Sequence, residues 1–182
     1  MPSSIDNNDI IYQLPKETTF NGASDYINTG IKLFDVTDSF TLYIRVDLSQ
    51  NNASNIPCFH CLYEQNPYYG LALQNRFLVG NGALVYYTPT QLLMRDNQQI
   101  VVVYDNKVIT RGYYKNSLSS PNIQTLSMYS NEFHEEMTKP YLILGAYQTI
   151  TGEIGRFWKG TIYDFKVYNR VLSDDEINDL FV

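Results

Sequence analysis

The 182-residue sequence predicts an all-β fold, a two-sheet antiparallel β-sandwich or jelly roll closed by one short C-terminal helix. Three observations point there. Roughly a dozen short β-prone segments are set off by Asn, Pro and Gly, strand and helix do not alternate, and the one capped helical signal lies at the end of the chain.

Residues 1–17 are polar, lack sustained periodicity and end in Leu14-Pro15-Lys16, which reads as an arm or linker ahead of a domain spanning 18–182. Ile10 to Leu14 stays open as an added edge strand. From Phe40 to Leu48 the residues alternate, with Phe40, Leu42, Ile44, Val46 and Leu48 on one face and Thr41, Tyr43, Arg45 and Asp47 on the other, so a half-buried strand is expected. Asn51-Asn52-Ala53-Ser54-Asn55 is a loop by composition, and Ile56–Tyr63, Tyr69–Leu73 and Arg76–Val79 follow as short strands. The β-branched run Gln99–Tyr104 suits burial on both faces, and Asp105-Asn106 reads as a hairpin turn into Lys107–Tyr114. Further strands fit Thr125–Tyr129 and Tyr141–Tyr147. Between them, Asn131–Lys139, with Glu132, Glu135 and Glu136, fits either a short helix or an exposed loop.

The last strand, Thr161–Tyr168, should place Tyr163, Phe165 and Val167 on the packed face and Asp164 and Lys166 outside. Beyond Asn169 the period changes. Ser173 with Glu176 three residues on is a capping box, Asp174 and Asp175 favour the positive end of a helix, and Ile177 and Leu180 give it one apolar edge.

A net charge of −6 and the lack of any Lys/Arg cluster oppose attraction to phosphate backbones, so nucleic acid is not an expected partner. No apolar run approaches the ~18 residues that a membrane-crossing helix needs. The segment MPSSIDNNDIIYQLPKETTF has neither a basic start nor an apolar stretch before a cleavage site, so it reads as a cytoplasmic start rather than a secretory signal. Cys58 and Cys61 sit in an apolar strand context and should point to opposite faces with Cα atoms ~10 Å apart, too far for a disulfide. Two buried free thiols are expected; zinc would need ligands beyond His60 and the only other histidine, His134.

The ordered pattern Phe157-x-x-Gly160-x-Ile162, then Asp164, Tyr168-Asn169-Arg170-x-Leu172-Ser173 and Glu176-Ile177, resembles the C-terminal end of laminin G-like, or concanavalin A-like, jelly-roll domains. Phe20–Gly30 (FNGASDYINTG) with Ser39-Phe40-Thr41 is similar to the opening strands of that family. Phe59–Gly70 (FHCLYEQNPYYG), Leu144-Gly145 and Gly155–Gly160 are similar to a subgroup found in phage and prophage tail and other virion-associated proteins of low-GC bacteria. The resemblance covers roughly residues 18–182. It implies a lectin-like, non-catalytic adhesion module on a virion, made in the host cytoplasm and holding the particle to cell-surface or mucosal glycans.

Related jelly-roll glucanases carry a strand with Glu-x-Asp-x-x-Glu, which supplies the paired carboxyls that a retaining glycosidase needs ~5 Å apart. No such strand exists in this sequence, and the acidic run Asp174-Asp175-Glu176 is accounted for by capping. Gly-x-Ser-x-Gly, His-Glu-x-x-His and phosphate-binding Gly-rich loops are also missing, so no catalytic residue is assigned, and a glycoside hydrolase stays the less favoured alternative, which a carboxyl pair ~5–9 Å apart in a groove would revive.

Sixteen tyrosines, nine phenylalanines and one tryptophan supply planar rings, most with a polar tip, suited to a sugar's apolar face and hydroxyl edge. Trp158 is the leading candidate, stacking on a sugar while Arg156 donates a fixed fork of hydrogen bonds; the alternative is that Phe157 or Trp158 closes the end of the core. A second group, His60, Glu64, Tyr68 and Tyr69, surrounds the Gln65-Asn66-Pro67 turn, although His60 shares a face with Cys58 and Leu62 and equally suits a core histidine. Tyr147, before Gln148-Thr149, is the third candidate. Some laminin G-like domains hold calcium, and Asp25 and Asp164 stand where that family often carries acids; no other cofactor is expected. Glycan is the first expected partner. A structural decoration domain would instead bind another virion protein through an apolar patch that includes Ile10-Ile11-Tyr12 and Phe181-Val182, and a homo-oligomer stays open.

Overall fold

A computed structural model describes residues 5–49, 56–64, 68–74, 77–82, 85–87, 96–119, 122–126 and 133–181. A 3₁₀ turn at Asn7–Asp9 leads into β1 (Ile10–Gln13), β2 (Thr18–Asn21), β3 (Ile27–Asn28), the one-turn helix α1 (Leu33–Val36) and β4 (Phe40–Asp47). Then come β5 (Phe59–Glu64), β6 (Tyr68–Leu73), β7 (Phe77–Gly82), β8 (Val85–Tyr87), β9 (Gln98–Asp105), β10 (Val108–Lys115) and β11 (Gln124–Thr125). A second 3₁₀ turn at Glu135–Thr138 precedes β12 (Ile143–Leu144), β13 (Tyr147–Gln148), β14 (Ile154–Gly155), β15 (Lys159–Tyr168) and α2 (Asp174–Leu180).

Two antiparallel sheets form the sandwich, as expected. The first runs β1-β15-β4-β9-β10-β11 and the second β3-β12-β5-β6-β7-β8, while β13 and β14 make a separate hairpin. β1 and β2 share one edge of β15 end to end, β2 opposite Lys159–Ile162 and β1 opposite Lys166–Tyr168. Pro15, which has no N–H to donate, falls in the gap between them. Residues 10–13 of the arm are therefore an edge strand of the sheet.

Period-two alternation fills the space between the sheets. Phe40, Leu42, Ile44 and Val46 of β4, with Ile100, Val102 and Tyr104 of β9, meet Phe59, Cys61, Leu71, Leu73, Phe77 and Val79 from the second sheet, all nearly inaccessible to solvent. Each such side chain contributes roughly 1.5–3 kcal/mol by leaving water. Both cysteines join this same cluster, which corrects the expectation of opposite faces: β5 begins at Phe59, so Cys58 precedes the regular alternation. Both thiols are free and buried.

The outer face of the first sheet is covered too. Leu172, Ile177 and Phe181 pack on Tyr43, Val101, Val103 and Tyr168, so β4 is buried on both faces through Tyr43 instead of half-buried, whereas β9 is buried on both faces as its composition indicates. The cap of α2 forms as read: Ser173 Oγ accepts from Glu176 N at 3.2 Å, and Glu176 Oε2 accepts from Ser173 N at 2.8 Å. Glu176 also receives a two-pronged ion pair from Arg170, whose Nε reaches Asp9 Oδ2 at 2.7 Å and so joins the arm to the helix.

Three further expectations shift. The β15 register slips between Ile162 and Asp164, leaving Tyr163 as a bulge residue whose hydroxyl donates to Asp96 at 2.6 Å, outside the Phe165/Val167 face. The β9–β10 turn is Asn106-Lys107, both at positive φ, one residue later than read. Tyr141–Tyr147 holds two two-residue strands separated at Gly145, where φ is +78° and the Phe20 ring occupies the place of a side chain. The Glu-rich segment forms the 3₁₀ turn with Met137 in the core. The Asn51–Asn55 loop, Arg76, Ser127–Tyr129, Asn131 and Glu132 lie outside the described residues.

Candidate functional site

The outer face of the second sheet carries His60 and Leu62 from β5, Ala72 from β6 and Leu78 from β7, each nearly buried. His60 and Leu62 share this face because alternate strand residues point the same way. The β13–β14 hairpin lies against β5 here. Its ends pair Tyr147 with Gly155 and Gln148 with Ile154, and its turn is held by Thr149 N donating to the Glu153 carbonyl at 2.8 Å and Gly152 N to the Thr149 carbonyl at 3.0 Å.

Three of the expected site residues come together at this hairpin. The buried His60 ring meets Tyr147 edge to face with centroids 4.8 Å apart, and the Arg156 guanidinium lies 4.7 Å from the Tyr147 centroid. The half-buried tyrosine is thus held between a core imidazole and an exposed cation. Arg156 is at φ +50°, a left-handed conformation costing a residue with a Cβ roughly 1–2 kcal/mol. That turn is how the chain leaves β14, sets the guanidinium over Tyr147 and re-enters β15.

Beside the stack is a hollow of ≈ 210 Å³ between Leu62 and Tyr63 of β5, Lys139-Pro140-Tyr141, and the hairpin turn from Gln148 to Gly152. Two more cations sit over tyrosine rings at its edge: Lys139 is 5.5 Å from the Tyr63 centroid and Lys32 is 5.1 Å from that of Tyr141. Lys139 also bonds Glu136 at 2.6 Å, a contact that holds the carboxyl below its ordinary range and the ammonium above its own. The sequence reading missed Tyr63, Lys139, Tyr141 and the Thr149–Gly152 turn, because no spacing in the chain signals that three separate segments converge. Tyr141 and Ile150 are both exposed at the rim.

Other candidates fall elsewhere. Trp158 is wholly buried, packed on Phe20 at 5.7 Å and over Gly160, so it closes the end of the core and presents no ring face to a sugar. The reason is the register: its backbone N–H donates to the Gly145 carbonyl, which draws the residue inward beneath the turn that exposes Arg156. Glu64 and Tyr68 face each other across β5 and β6, but their side chains and the Gln65–Pro67 turn lie outside the described residues. Tyr69 stacks on His134 at 4.1 Å, within the packing around the 3₁₀ turn.

The calcium pair does not assemble. Asp25 accepts from Asn21 N at 3.0 Å to close a local turn, while Asp164 pairs with Lys166 Nζ at 2.8 Å. Asn21 is opposite Lys159, five residues or ~17 Å along β15 from Asp164. Among the described residues no group of three or more His, Cys, Asp or Glu side chains is placed to hold a metal. The anticipated apolar patch is largely covered, its Ile10-Ile11-Tyr12 part being half-buried. Phe181 is buried in the outer cluster and Ile10, Ile11 and Tyr12 pack against the two cores, while Val182 lies outside the described residues.

The chain matches the family model of the concanavalin A-like lectin/glucanases superfamily over residues 21–178, and it belongs to that superfamily. Among solved structures it is similar to the CBM40 of Ruminococcus gnavus IT-sialidase bound to α2,6 sialyllactose, at 15% identity and TM-score 0.64, covering 95% of this chain and 100% of that one. It is also similar to the leech intramolecular trans-sialidase (16% identity, TM-score 0.59, 94% of this chain) and to the NanB sialidase of Streptococcus pneumoniae (14%, 0.54, 94%). The chain spans 28% of each of those two sialidases. At these identities the likeness shows the fold. No curated protein sequence matches the chain.

Proposed function

We propose that this chain is a non-catalytic carbohydrate-binding module that takes a carboxylate-bearing glycan at the β13–β14 hairpin, and that it serves adhesion on a bacteriophage virion. One observation carries the binding reading: in a chain of net charge −6, an exposed Arg156 is fixed over Tyr147 beside a hollow edged by Lys32 and Lys139. A guanidinium held against a ring is placed to grip a carboxylate with two parallel hydrogen bonds, and the hollow offers apolar wall for the sugar's other substituents. The CBM40 likeness supports the choice of a sialylated ligand, since that domain is seen with sialyllactose.

The non-catalytic reading has its own support. A glycosidase acid must stay protonated at working pH, whereas Glu136, ion-paired to the hollow's Lys139, is pushed the other way, and no acid is among the described residues that line the hollow. The virion setting rests on the resemblance of Phe59–Gly70 and Gly155–Gly160 to virion-associated domains.

Titration calorimetry with α2,3- and α2,6-sialyllactose against lactose tests the binding reading. Sialyllactose should bind and lactose should bind at least about tenfold more weakly, with Arg156→Ala abolishing the difference. Silence toward a broad glycan array, or equal binding by Arg156→Ala, overturns it. For the virion setting, mass spectrometry of purified particles should find the chain; its confinement to the cell lysate overturns that part.

A further inference from the structure

Tyr26 is 45% exposed, yet it is not isolated. Its ring lies 6.3 Å from that of half-buried Phe157, at an interplanar angle of 42°. Ile27 packs against the core, Asn28 faces outward, and Tyr26 stands exposed just ahead of β3. Asn28 is registered opposite Ile143, and Ile143 opposite His60, which puts Asn28, two residues after Tyr26, on the same side of the second sheet as the His60–Tyr147–Arg156 stack. The β3 and β5 strands are two strand spacings apart, ~10 Å. One residue links the two places: the left-handed turn at Arg156 sends that side chain to Tyr147 and the next, Phe157, to Tyr26.

We infer that Tyr26, backed by Phe157, is a second stacking platform, so that the site takes an oligosaccharide of at least two sugar units. The inference rests on the glycan reading above and adds to it a subsite for the unit next to the carboxylate-bearing one. A tyrosine in tilted contact with a half-buried ring has part of its motion restrained while its exposed surface stays available, which suits the apolar face of a pyranose. Tyr26 is held against Phe157 while the carboxylate grip lies at Arg156 over Tyr147, so the two contacts serve neighbouring units of one chain of sugars.

The experiment compares sialyllactose with the methyl glycoside of sialic acid on wild type, Tyr26→Ala and Tyr26→Phe, with thermal melts to show that the exposed substitutions leave the fold intact. Wild type should bind the trisaccharide more tightly than the single sugar by roughly two- to tenfold, the range of one aromatic stacking contact. Tyr26→Ala should erase that advantage and leave the single-sugar affinity unchanged, and Tyr26→Phe should restore it. Equal effects of Tyr26→Ala on both ligands, or none on either, overturn the second platform alone. Failure of wild type to bind either ligand overturns the glycan reading and the platform with it.

Discussion

Arg156 lies over Tyr147 with 4.7 Å between the guanidinium carbon and the ring centroid, and it reaches that position from a backbone φ of +50°. A glycine would occupy the same turn without strain. The presence of arginine there sets a stability cost against a side chain placed for contact. Arg156→Gly is therefore expected to leave the melting temperature unchanged or raised while sialyllactose binding is lost. Arg156→Lys keeps charge but not the planar fork, and a roughly tenfold loss of affinity in calorimetry is the expected reading.

Trp158 is the sole tryptophan and lies inside the core. Its fluorescence should be blue-shifted, resist acrylamide quenching and stay constant through a glycan titration. Trp158→Ala is expected to cost about 3–5 kcal/mol in denaturant melts by opening a large cavity. Gly160→Ala should cost about 1–3 kcal/mol, because its methyl would overlap the Trp158 ring and the Asp47 carbonyl. Red-shifted, readily quenched emission from the native protein would contradict this placement.

Glu176 is held at about 2, well below the ordinary carboxyl value of 4.5, first by the hydrogen bonds from Arg170 and then by the Ser173 N–H and hydroxyl. A depressed folded-state value means the unfolded chain takes up the proton first as pH falls, so the stabilisation is complete above about 4.5 and is lost on descending toward about 2. Denaturant midpoints should drop across that window in wild type. In Glu176→Gln the slope should be shallower and the midpoint at neutral pH lower; identical pH profiles would exclude the assignment.

Burial pushes the Cys58 thiol up and raises that of Cys61 to about 12, so neither is a thiolate at neutral pH. A chromogenic disulfide reagent should react with neither in the native state and with both after unfolding in guanidinium. Fast native labelling of either cysteine would show that the core opens at β5.

The sandwich, the order of most strands and the Ser173–Glu176 cap were legible because each is written in local period or local spacing. Faces covered from far along the chain were not. Thr41 and Tyr43 look solvent-facing by alternation and are buried because Leu172, Ile177 and Phe181 return to cover them. The site divides the same way: Arg156, Tyr147 and His60 could be chosen by residue type, whereas Tyr63, Lys139 and Tyr141 become neighbours only when β5, the segment before β12 and the hairpin turn meet. Trp158 misled because glycines on either side suggest an exposed loop, while here Gly160 makes room for the indole to go inward.

The Arg170 contacts to Asp9 and Glu176 have a consequence for display. They draw the Asn7–Asp9 turn and α2 to one side of the domain, along the first sheet, while the β13–β14 hairpin lies on the outer face of the second. A tether fused through either the Asn7–Asp9 turn or α2 would leave the hairpin pointing away from its support. Copies arrayed on a common scaffold would then present their hairpins outward together, so that weak individual contacts add up as avidity.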